Sequence, residues 1–129
     1  MAKESNMSKT KIAGWVLSVL LSIMLLASAA IKLSGMQGME VELDRMGWSA
    51  STLFYVGLVE AAIAVVYLVP PASFVGAVLM TGYLGGATAT HVRIDDPFFV
   101  PIVLGVVAWI ALGLRDRRVF ALAAGSKAD

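Results

Sequence analysis

The sequence predicts an all-α integral membrane protein, a four-helix bundle, on three observations. Of its 129 residues, 59% are hydrophobic and 15% charged, and the mean hydropathy is +0.84. With Gly counted and Tyr left out, roughly two thirds of the chain is apolar, against about 45–50% in globular domains. A chain this short has too little interior to hide that share from water. Second, four runs with at most one charge approach the roughly 20 residues a helix needs to cross a bilayer core of about 30 Å. Third, none of these runs alternates polar with apolar residues, which argues against membrane β-strands. The lack of cysteine excludes disulfides, thiolate metal sites and cysteine nucleophiles. A net charge of +1 leaves no electrostatic footprint for nucleic acid.

The spans fall at about 12–33, 51–69, 72–91 and 97–115 of one membrane domain covering 1–129. The first follows Lys3, Lys9 and Lys11, as a signal peptide would. Its apolar run exceeds the about 7–15 residues of a signal core, however, and it passes into Ile31-Lys32-Leu33 without a small-residue cleavage site. It reads as a retained helix. The second span is interrupted only by Glu60 and ends at Pro70-Pro71, where the ring removes an amide donor and clashes with the preceding turn. No charge occupies 69–73, so the connection is tight and the second and third spans are antiparallel neighbours. Lys3, Lys9, Lys11, Arg115, Arg117, Arg118 and Lys127 lie on the side of the termini, while Lys32, Arg45 and Arg93 lie on the other. That excess predicts cytoplasmic N- and C-termini, with tails at 1–11 and 116–129.

The linker 34–50 carries Met36, Met39, Leu43 and Met46 at helical spacing, with Glu40, Glu42, Asp44 and Arg45 between them and Gly47 to cap the end. This predicts a short amphipathic interfacial helix on the outer face of the membrane. Trp15 and Tyr67 suit the inner interface, Trp48 and Tyr55 the outer, and Trp109 the bundle interior. Because lipid tails are as apolar as leucine, membrane helices associate through close backbone approach and interhelical hydrogen bonds. The third span has one small-residue ridge, Ala77, Thr81, Gly85 and Ala89, and a second, Gly82, Gly86 and Thr90. It is expected at the centre of the bundle, so that Gly85→Leu would splay the helices.

Glu60 stands near the middle of the second span, where an ionised carboxylate costs about 2.5 kcal/mol or more. Turn counting gives Ser22, Thr81 and Gly105 the same depth, predicting a polar layer at the midplane. Two readings of Glu60 follow. It handles a proton or orients a ligand, or it is a protonated carboxyl that fixes helix register through one hydrogen bond. A second cluster lies at the outer end, where Lys32, His91 and Arg93 form a patch for an anionic headgroup or an entering substrate, with Asp95 and Asp96 placed to pair with Arg93. The alternative there is interfacial snorkelling with local salt bridges. His91 lies about 15 Å of helix rise beyond Thr81, out of direct reach of Glu60. A single His without Cys supports neither haem nor zinc, so no metal and no cofactor is expected. No P-loop, GxSxG or GxGxxG motif is present, and no catalytic residue can be named.

The run Thr81-Gly-Tyr-Leu-Gly-Gly-Ala-Thr-Ala-Thr-His-Val-Arg93, followed by Asp95-Asp-Pro97, Pro101-Ile-Val-Leu-Gly105 and Leu114-Arg-Asp116, resembles the DoxX-like family of small four-helix bacterial membrane proteins. Lys32, Met46-Gly47, Gly57-Leu-Val-Glu60 and Val69-Pro70 agree with it, so that the resemblance covers 13–116. Its motif positions here are Lys32, Glu60, Tyr83, Gly85, Gly86, His91 and Arg93. The family is named for similarity to a small subunit of terminal quinol oxidase and thiosulfate:quinone oxidoreductase systems. The resemblance implies a multi-pass protein of the bacterial cytoplasmic (inner) membrane. Its implied role is a non-catalytic subunit or partner of a membrane redox or respiratory system, in contact with the lipid bilayer and with other membrane proteins or copies of itself. The alternative is an intramembrane site for a quinone or other lipophilic small molecule, or proton-coupled transport, anchored by Glu60. The ligand-binding or proton-handling candidates are Glu60, Ser22, Thr81, Tyr83, Lys32, His91 and Arg93.

Overall fold

In α1 (Lys9–Ser34), the Ser8 hydroxyl accepts the Lys11 amide at 3.1 Å and so satisfies one orphan donor of the first turn. The helix stops at Gly35, whose φ of 60° is left-handed. The computed structural model describes residues 7–35 and 38–127. α2 (Met39–Met46) is the helix expected in the linker, closed by Gly47 donating to the Asp44 and Leu43 carbonyls. Met36, assigned to the same apolar stripe, lies outside the described residues. α3 (Ala50–Leu68) starts at Ser49, whose hydroxyl accepts the Thr52 amide. The two prolines then form a 3₁₀ turn over Pro70–Ala72 that leads into α4 (Ser73–Arg93). α5 (Phe99–Arg115) is followed by a short helix that sequence reading left within the tail, α6 (Arg117–Ala123). Asp116 separates the two and caps α6 by accepting the Arg118 amide, and the helices meet at a bend of 118°.

Among the described residues, three helices are long and apolar enough to cross a membrane: α1, α3, and α4 with its leading 3₁₀ turn. A fourth qualifies when α5 and the bent α6 are counted together. Alone, the 17 residues of α5 reach about 26 Å, at the lower limit for a span. α1 packs against α3 and α5, and α4 packs against the same two from the opposite side, so the long helices close a ring. Neighbours run antiparallel: Ser18 meets Tyr67 where Lys32 meets Glu60, and Thr81 meets Trp109 where Leu84 meets Gly105. Leu21, Leu25, Ile63, Tyr67, Met80, Leu84 and Leu112 fill the interior. Leu20, Ile23, Val65, Val78 and Val103 face outward, each at least half exposed, in an apolar belt that is suited to lipid and not to water.

Two expectations are corrected here. α4 is not the small-residue centre: a Cβ added to Gly82, Gly85 or Gly86 would meet nothing within 4 Å. The helix is turned so that Ala77, Met80 and Leu84 face the core, which leaves Thr81, Gly85 and Ala89 of the first ridge outward. Small residues permit close approach only where a neighbouring helix arrives. Here that happens at Gly14, where a Cβ would lie 2.7 Å from the Ala111 carbonyl oxygen, and at Gly76, 2.5 Å from the Tyr67 Cα. The second correction concerns Tyr67, which is wholly buried and not interfacial. Its hydroxyl donates to the Ala108 carbonyl at 2.7 Å and accepts from Ser18, so the phenol finds its partners inside the protein.

Candidate functional site

Glu60 projects from α3 toward α1 and is 2% exposed. It takes part in no midplane layer of hydroxyls. Ser22 donates instead to the Ala64 carbonyl at 3.4 Å. Thr81 donates to the Ala77 carbonyl at 2.8 Å and accepts the Trp109 indole N–H at 2.7 Å, while Gly105 faces Leu84. Each hydroxyl is satisfied by a backbone carbonyl, that of Ser22 across to α3 and that of Thr81 one turn back in its own helix, and neither is left for a shared layer. The partner of Glu60 is Lys32, whose ammonium donates to Oε2 at 2.8 Å and also to the Ser28 hydroxyl. Helix side chains tilt toward the N-terminus, so the Lys32 head drops one turn along α1, over Ser28, and reaches the depth of the carboxylate. Counting Cα positions alone misses that reach. The Lys32 side chain keeps 20% exposure and that of Glu60 only 3%.

Tyr83 of α4 lies beside the Glu60 carboxylate. Lys32, Tyr83 and His91 line one cavity of about 380 Å³ at the loop end, between α1, α3 and α4. Met46 and Trp48, from the end of α2 and the residues after it, form one wall, and Leu53, Val56, Gly82, Gly86 and Ala87 make most of the rest apolar. An apolar concavity with a few converging polar groups is the usual anatomy of a small-molecule site.

Arg93 does not join Lys32 and His91 in this cavity. Its guanidinium donates to the Met46 carbonyl and so holds the C-terminal end of α2. Asp96 does not pair with Arg93 either. Asp95 adopts a left-handed φ of 59°, which turns the chain, and Asp96 meets Arg45 of α2 at 2.6 Å. The hydrogen bond from Arg45 is the main reason that the Asp96 carboxyl lies below the usual carboxylate range. His91 Nδ1 is buried without a hydrogen-bond partner among the described residues, 3.6 Å from the second Asp96 oxygen. Asp96 thus stands between α2 and His91, and α2 is tied over the cavity by two contacts, Arg93 with Met46 and Asp96 with Arg45.

At the opposite end the structure brings out a residue that sequence reasoning took only as part of the positive excess. Arg115 is 9% exposed. It donates to the Ser18 hydroxyl at 3.1 Å, the Tyr67 carbonyl at 3.2 Å and the Ser73 hydroxyl at 2.6 Å, with its guanidinium 3.8 Å from the Trp15 ring centroid. The available signal was its position directly after Leu114, inside the apolar run, whereas Arg117 and Arg118 follow the helix break at Asp116.

A sequence model of the DoxX-like family matches residues 16–112. The chain belongs to the DoxX-like family. The matched segment of this DoxX-like protein contains Lys32, Glu60, Tyr83, His91 and Arg93 and stops short of Arg115. Membership, with three or four helices fit to span, makes it a multi-pass membrane protein. Comparisons with curated proteins and with solved structures return no match.

Proposed function

We propose that this DoxX-like protein is a non-catalytic, four-span protein of the bacterial inner membrane, with both termini cytoplasmic. In this reading it holds a lipophilic small molecule with a polar head, of which a quinone is the type, in the cavity at its loop end. The observation that carries this is the Lys32–Glu60 ion pair set beside an apolar cavity of about 380 Å³ that Tyr83 and His91 also line. An ammonium already neutralised by a carboxylate can still donate to a ligand carbonyl, and the tyrosine hydroxyl and imidazole add donors that fix orientation. The hydrogen bond that Glu60 accepts from Lys32 at 2.8 Å holds the ammonium at the cavity it lines, which supports the ligand-orienting reading of Glu60. The second reading, a subunit of a redox assembly, draws support from the open face of α4 at Gly82 and Gly85, and the two are compatible.

The test is titration of decylubiquinone into the detergent-solubilised protein, read by tryptophan fluorescence, because Trp48 lines the cavity. Saturable quenching, largely lost in Trp48→Phe and in Gly86→Leu, is expected. Nothing lies within 4 Å of a Cβ at Gly86, so the Leu side chain plugs the cavity without striking the core. Quenching that never saturates, or that Gly86→Leu leaves unchanged, sinks the reading.

A further inference from the structure

At the end where the termini lie, α1, the proline turn, the start of α4, α5 and α6 line a second, open cavity of about 790 Å³, with the buried Arg115 in its wall. A guanidinium carries five N–H donors. Three of those of Arg115 are used, on the Ser18 hydroxyl, the Tyr67 carbonyl and the Ser73 hydroxyl, and all three acceptors are neutral. The Trp15 ring that covers its face is neutral as well. Nε has no partner among the described residues, and no carboxylate there forms a salt bridge with Arg115. The adjacent Asp116 is turned to Arg118, which it meets at 2.6 Å.

Neutral acceptors satisfy donors but leave the charge itself uncompensated, and a buried charge requires pairing. Among the described residues, that requirement is met at Lys32 by Glu60 and is not met at Arg115. Lys11 and Arg118 line the same cavity, so its three cations and the single carboxylate of Asp116 leave a net charge of +2. Trp15, Phe74, Leu112 and Leu122 make the remaining walls largely apolar. The occupant that fits has an anionic head for Arg115 and Lys11 and an apolar body for those walls. Basic pockets between spanning helices are known to take anionic lipid headgroups, and α6, bent away from α5, forms one side of this one.

We propose that this cavity binds a net-anionic phosphate head, supplied by an anionic phospholipid of the leaflet at the termini, with Arg115 as its buried counter-ion and Lys11 at its rim. The site is independent of the loop-end cavity and of the ligand proposed there.

The test is native mass spectrometry of the full chain in detergent, with phosphatidylglycerol, phosphatidylcholine and inorganic phosphate titrated separately. Phosphatidylglycerol is expected to bind at least tenfold more tightly than phosphatidylcholine, whose choline cancels the phosphate charge. Lys11→Gln should weaken it about fivefold, the effect of one cation at a membrane surface, and Arg115→Gln by more. Because Arg115 also ties three helices together, the exposed Lys11 keeps the test readable if Arg115→Gln does not fold. Displacement of the lipid by millimolar inorganic phosphate supports the same anion site with a soluble source. Equal binding of the two lipids, or phosphatidylglycerol binding unchanged in Lys11→Gln, overturns the proposal.

Discussion

The two ends of the bundle each draw a cation inward, Lys32 part-buried and Arg115 buried, and they accommodate it differently. At the loop end the compact ammonium of Lys32 is met by one carboxylate and one hydroxyl, and it retains a path to water through its 20% exposure. At the other end the planar guanidinium of Arg115 is held by a carbonyl, two hydroxyls and an indole face. A delocalised, weakly hydrated cation with five fixed donors can be positioned by neutral groups in a way that an ammonium cannot. Among the described residues, the loop end therefore balances its charge internally, whereas the termini end satisfies most of its guanidinium donors and not its charge. In the first the protein presents a polar anchor beside an apolar cavity. In the second it presents net positive charge.

The largest effect expected from disturbing this contrast lies at the loop end. Lys32→Met leaves the Glu60 carboxylate, with a side chain 3% exposed, without its partner. A loss of about 3–5 kcal/mol is expected, as for a buried pair broken on one side. Glu60→Gln should cost less, because Lys32 can turn to water. The double variant Lys32→Met/Glu60→Leu should recover most of the loss, since no charge then remains buried. Unfolding in graded detergent mixtures reads all three. If the double variant is no more stable than Lys32→Met, the pair is not what holds these helices in register.

A smaller effect is expected from the helix contact beside Arg115. Gly76→Ala would place a methyl 2.5 Å from the Tyr67 Cα, in the segment whose carbonyl Arg115 holds. A loss of about 1–3 kcal/mol is expected, as for overpacking. Gly85→Ala, where a Cβ meets nothing, should stay within about 0.5 kcal/mol of wild type. Thermal unfolding of the two variants side by side checks the outward orientation of α4, and equal losses would contradict it.

The smallest effect concerns the tie over the loop-end cavity. Asp96 is held below its ordinary value, mainly by the hydrogen bond from Arg45. A depressed carboxyl contributes its stabilisation in full above the unfolded value of about 3.9 and loses it as pH falls through the lower folded value. Beyond its intrinsic pH trend, hydrogen exchange over Met39–Met46 should therefore be unchanged from neutral pH down to about 3.9 and accelerate as pH falls from there through the lower folded value. In Asp96→Asn the faster exchange should already be present at neutral pH. An identical profile in Asp96→Asn would show that Arg45 does not hold α2.

Several local features were legible because short-range chemistry decides them. The Pro70-Pro71 break and the Gly47 stop each act within one turn, and the Met39, Leu43 and Met46 spacing marks α2. The family motif was legible for a related reason, since Thr81–Arg93 is a continuous string. Pairings across helices were not legible. Turn counting put Glu60 level with Ser22, whereas Lys32 reaches it from the last turn of α1. The outer acids looked equivalent until the turn at Asp95 gave Asp96 to Arg45. Arg115 looked like any cytoplasmic cation.

By itself, the sequence determined that this chain is helical, membrane-embedded and DoxX-like, because hydropathy, capping and motif order are properties of neighbouring residues. Only the tertiary structure decided which way each helix faces, and hence that Gly82, Gly85 and Gly86 of α4 lie open, that Glu60 is paired and that Arg115 is buried without an anion among the described residues. Those outcomes depend on helix rotation and side-chain reach. A rotation of a few tens of degrees changes which residue a long side chain meets while leaving every local pattern unaltered.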